Sequence, residues 1–88
     1  MKTIFQIQVR EEGNTRIVPV VLRREVGYQF PIHKQEAVSI SGLLVRVEDV
    51  IHVVERQFRV VCLAPIEALP GELHKKVAEL MMADFYKM

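Results

Sequence analysis

Apolar and polar residues alternate cleanly near the amino end, where Phe5, Ile7 and Val9 are interleaved with Gln6, Gln8 and Arg10. A period of two predicts a half-buried strand with its amides on the opposite face. Glu12, Gly13, Asn14 and Thr15 then supply turn chemistry, since Gly and Asn tolerate the positive φ of a reversal. The return segment from Arg16 to Arg24 places Val18, Val20 and Leu22 on one face and Ile17, Pro19, Val21 and Arg23 on the other. Pro19 cannot donate to a ladder, so an edge position or an irregularity is expected there. The even-numbered apolar register runs on through Val26, Tyr28, Phe30 and Ile32, with a bend indicated at Gly27 and Pro31.

A polar connection from His33 to Glu36 leads into a short strand, Ala37 to Ile40, ended by Ser41-Gly42. Next comes the densest block, Leu43 to Leu63, with many β-branched residues and no glycine or proline. Leu43, Val45, Val47, Ile51 and Val53 share one face by period two, but so does Asp49. A bulge near Glu48 or Asp49 would turn the aspartate outward. Val47, Val50, Ile51, Val54 and Phe58 also fit helix spacing, yet four of the five are β-branched and lose rotamer freedom in a helix. Two strands joined by Glu55, Arg56 and Gln57 are the preferred reading, with Phe58, Val60 and Cys62 facing the core.

After Ala64-Pro65 the period changes. From Leu69 onward, Leu73, Val77, Leu80, Met81, Phe85 and Met88 recur at three and four residues and line one stripe of a helix roughly 27 Å long. Pro70 suits its first turn and Lys87 its carboxyl end. The expected architecture is α+β: a small antiparallel sheet or partly closed barrel of four to five strands with one C-terminal helix packed on it. Residues 1–88 form a single domain, with a β-rich portion over 1–64 and the helix over 65–88.

Composition adds few functional signals. Twelve basic side chains balance 11 acidic ones and half the residues are apolar, so neither disorder nor strong polyanion affinity is indicated. The single cysteine, Cys62, excludes an internal disulfide framework and reads as a buried thiol in a reducing compartment. The amino terminus turns polar too soon for a secretory signal, and no run approaches the ~20 apolar residues of a membrane span. A cytoplasmic protein that engages no membrane is expected.

No catalytic or metal motif is written in the chain. His33, His52 and His74 fall on different elements without ligand spacing, the four glycines are scattered, and nothing like GxSxG surrounds Ser39 or Ser41. No cofactor, metal or catalytic residue is therefore assigned. The expected function is a non-enzymatic interaction module, homodimeric or docked on a larger assembly, with Leu73, Val77, Leu80, Met81 and Phe85 as its partner-binding stripe and Met82, Ala78, Ala83 and Tyr86 widening that surface. The alternative is a nucleic-acid-binding β-domain. All seven arginines lie between residues 10 and 59, and Arg23, Arg24, Arg46 and Arg59 could form a basic sheet face beside Tyr28 or Phe30. Glu11, Glu25, Glu48 and Glu55 interleave with them, and cross-strand ion pairs explain the same residues. A third reading, an enzyme whose site joins His52, Cys62 and a carboxylate, has the least support.

Overall fold

The computed structural model describes residues 2–28, 30–40 and 42–87. The described elements are β1 (Lys2–Glu11), β2 (Val20–Val26), β3 (Ala37–Ile40), β4 (Leu43–Val53), β5 (Phe58–Leu63), β6 (Ile66–Ala68), α1 (Leu73–Met82) and β7 (Tyr86–Lys87). The domain is α+β, as its patterning predicts, but the sheet is open rather than a barrel, mixed rather than antiparallel, and has seven described strands. Their order is β3-β4-β5-β1-β2-β7, with β6 continuing along β1 beyond the end of β5.

β1 organises the sheet. Its odd residues Thr3, Phe5, Ile7 and Val9 are buried beneath the helix-bearing side, and its even residues face the other way. β2 returns antiparallel with Ile7 opposite Leu22, while β5 lies parallel on the other flank with Phe5 opposite Val61. Pro19 stands just before β2, and β2 is flanked by β1 and β7 instead of forming a free edge along its whole length.

The parallel pairing decides how β5 sits. Val61 and Leu63 enter the core, so Phe58, Val60 and Cys62 point to the opposite face and not inward as the sequence suggests. The bulge at Glu48 and Asp49 is present: Val47 pairs with Leu63 and Asp49 with Cys62, leaving Glu48 as the extra residue. The inserted residue inverts parity, so Val50 packs on the core while Ile51 and Val53 turn away from it. Gln57 closes the β4–β5 hairpin with φ 55°, the left-handed conformation that glycine usually supplies.

The helix is ten residues, Leu73–Met82, and so shorter than its stripe implies. It ends in a Schellman arrangement: the Phe85 amide donates to the Leu80 carbonyl, and the Asp84 amide to that of Met81. Asp84 takes φ 69° there, and Phe85 packs into the core beside Leu80. The chain then adds Tyr86–Lys87 as an edge strand beside β2, and Ile66–Ala68 extends the sheet before the helix. Residues 65–88 therefore hold two strands as well as α1, and Met88 lies outside the described residues.

Candidate functional site

Buried residues include Val77, Leu80 and Phe85, with Leu73 packed against the same cluster, so this part of the proposed partner stripe closes the domain's own core. Of the five residues, Met81 alone is largely exposed, at 47%. Met82 is exposed at 88%, and Ala78 and Tyr86 are exposed on the same part of the chain.

The four arginines do not share one surface either. Arg23 and Arg24 are consecutive in β2 and so face opposite ways. Arg23 Nε donates to Gln6 Oε1 at 2.9 Å on the helix-free face, while Arg24 on the helix side lies 4.0 Å from the Asp84 carboxylate. Arg46 is exposed on β4, separated from β2 by β5 and β1. Arg59 is 6% exposed. Its Nε donates to Thr3 Oγ1 at 2.9 Å, and its Nη2 donates to the Tyr28 and Phe30 carbonyls at 3.0 and 2.7 Å. The expectation that Arg59 lines an exposed basic face is thus corrected: it clamps the connection after β2 onto the sheet, with Tyr28 stacked 6.0 Å from its guanidinium carbon.

His52 and Cys62 stand on opposite sides of the sheet, because His52 pairs with Arg59 and Cys62 with Asp49. They cannot form one site. Among the described residues no three His, Cys, Asp or Glu side chains are grouped to hold a metal. Cys62 is half-buried on the helix-free face, and burial, then Asp49, push its thiol pKa above the ordinary 9.0 against the opposing pull of Arg23.

Two surfaces remain. One is the helix-free face, which sequence reading missed because the bulge and the β5 inversion both deliver apolar residues to it. Register sets its rows: Val53, Phe58 and Lys2, then Ile51, Val60, Ile4 and Glu25, then Asp49, Cys62, Gln6 and Arg23. Ile51 is 49% exposed and Val60 only 9%, shielded by its neighbours in the sheet, and no described element is layered over these rows.

The other surface is a cleft of about 400 Å³ on the helix side, between β3 and the end of β2. Phe5, Val26, Ile32 and Val38 line it, with Tyr28 and Glu36 among its polar margins. Comparison with protein-family models, with characterised proteins and with solved structures finds no match. No described helix is long and apolar enough to cross a membrane.

Proposed function

We propose that this protein is a non-enzymatic interaction module that self-associates through the helix-free face of its sheet. The observation that carries the reading is the register of that face. Ile51, Val60 and Ile4 form an apolar row across β4, β5 and β1 that ends at Glu25 on β2 and is extended by Val53 and Phe58, while the adjacent row has an acid, Asp49, at one margin and a base, Arg23, at the other. A two-fold axis lying in the interface and parallel to the strands lays β4 of one copy over β2 of the next. Val60 of one copy then lies over Ile4 of the other, Ile51 lies over Glu25, and each Asp49 meets an Arg23, as an isologous contact requires. Asp49 also lies 3.7 Å from Lys34 within its own chain, a solvent-exposed pair that holds little energy.

Four strands at ~4.8 Å and about five residues of each give only some 300 Å² in plan, well under the ~800 Å² a partner contributes to a standard interface. The dimer is therefore a weak one, in the micromolar range. Sedimentation equilibrium from about 5 to about 500 µM tests it, each tenfold change in Kd corresponding to about 1.4 kcal/mol. Wild type self-associates, Ile51→Glu is monomeric, Asp49→Arg and Arg23→Asp each weaken the dimer, and the double reversal recovers it. A monomeric wild type, or a double reversal no better than either single, refutes the reading. Retention on an oligonucleotide at low salt would instead favour nucleic-acid binding; Arg23 and Arg46 are what remains of that alternative on the outward surface.

A further inference from the structure

The backbone of β3 has one bonded side and one unbonded side. The Val47 amide donates to the Glu36 carbonyl at 2.8 Å, so the bonded pairs of this antiparallel hairpin alternate as Glu36 with Val47, Val38 with Val45 and Ile40 with Leu43. Ala37 and Ser39 consequently turn their N–H and C=O groups away from β4. No described residue meets them there, and β3 is the terminal strand of the sheet order. This free edge borders the cleft, and the other bank is the end of β2.

We infer that the cleft is a binding site for an extended peptide segment of another protein, which adds as a strand to β3. Donors and acceptors spaced two residues apart along an edge are the complement of a polypeptide backbone, and this is how strand addition obtains affinity. The floor beneath that edge supplies specificity: Phe5, Val26, Ile32 and Val38 would receive one apolar side chain, from the peptide residue paired beside Val38. The peptide's neighbouring side chains would point outward, toward Ala37 and Ser39. Tyr28 on the rim is held in advance, because Arg59 donates to its carbonyl and to that of Phe30, and the two rings lie 5.4 Å apart. A prearranged rim lowers the ordering cost of binding.

The probe is a random-peptide phage library selected on the full chain, followed by synthesis of the enriched peptide. Enriched sequences are expected to place an apolar residue between polar neighbours, and the bound peptide should slow amide exchange at Ala37 and Ser39. Ser39→Pro removes only the outward donor, a substitution tolerated on a free edge, and should weaken the peptide at least tenfold while leaving self-association unchanged. Failure to enrich any peptide, protection elsewhere than β3, or undiminished binding by Ser39→Pro would overturn the inference. Should Ser39→Pro fold poorly, the wild-type exchange pattern and a Val26→Lys variant, which fills the floor with charge and should abolish binding, decide the matter.

Discussion

Replacing Arg59 with methionine removes a buried cation from a site that contains no carboxylate. Three bonds disappear: one to Thr3 Oγ1 and one each to the Tyr28 and Phe30 carbonyls. Hydrogen bonds to charged groups contribute about 1.5–3 kcal/mol each, but water can reach the carbonyls of this exposed loop, and the guanidinium regains hydration in the unfolded chain. Thr3 Oγ1 also continues to donate to the Tyr28 carbonyl at 2.6 Å. Allowing about 1 kcal/mol for each lost bond gives a net cost of about 3 kcal/mol, a large part of the roughly 5–10 kcal/mol expected for a domain of this size. At about 1–1.5 kcal/mol per molar for so small a chain, the urea midpoint followed by far-UV circular dichroism should fall by about 2–3 M. Thr3→Val combined with Arg59→Met should cost less than the sum of the two single changes, since they share one network. A loss below about 1 kcal/mol for Arg59→Met, or strict additivity with Thr3→Val, would refute the clamp.

Three further outcomes follow from the core, the helix end and the thiol. Leu80→Ala should cost about 2–4 kcal/mol because Leu80 is buried, whereas Met82→Ala, at 88% exposure, should stay within about 0.5 kcal/mol; thermal melts of both variants compare them directly. Asp84→Gly should stabilise by about 0.5–1 kcal/mol, raising Tm by a few degrees, because glycine takes φ 69° without the Cβ penalty and the 4.0 Å contact with Arg24 is weak. A lowered Tm would assign Asp84 a role beyond the turn. The raised pKa of Cys62 means that unfolding releases a proton above the ordinary value of 9.0, so the thiol's contribution to stability is complete below about pH 9 and lost as pH rises through the folded value. Its reaction with a disulfide reagent at pH 8 should be slower than that of a free thiol and should accelerate in Asp49→Asn.

Much of the local grammar was legible. β1 buries each odd residue from Thr3 to Val9, because only one face of that strand is covered. The misplaced Asp49 announced the bulge, since a charge at an apolar register position costs more than a local break in pairing. The end of α1 was hidden for a chemical reason: its left-handed residue is aspartate instead of glycine, so the apolar period runs through the Schellman turn into Phe85 without interruption. β6 and β7, of three and two residues, are too short to display a period at all. The functional surfaces were less legible still. Arg59 reads as solvated until Thr3 and two loop carbonyls meet it, and the stripe assigned to a partner is mostly spent on the chain's own sheet.

By itself the sequence determined the α+β class, most strand-forming stretches, the β1–β2 and β4–β5 hairpins and the amphipathic helix, because each is encoded by neighbours a few residues apart through period, turn chemistry and β-branching. Tertiary structure alone decided which face of β5 enters the core. That strand is apolar on both sides, and only its parallel pairing with β1, more than 50 residues away in the chain, sends Val61 into the core beneath the helix and turns Val60 to the opposite face. The same long-range pairing, with the parity change at Asp49, assembled the helix-free apolar rows, and the sheet order placed the cleft between β3 and the end of β2. Surfaces built from register between distant strands carry no local signature, since each residue's facing depends on a partner the local pattern does not contain.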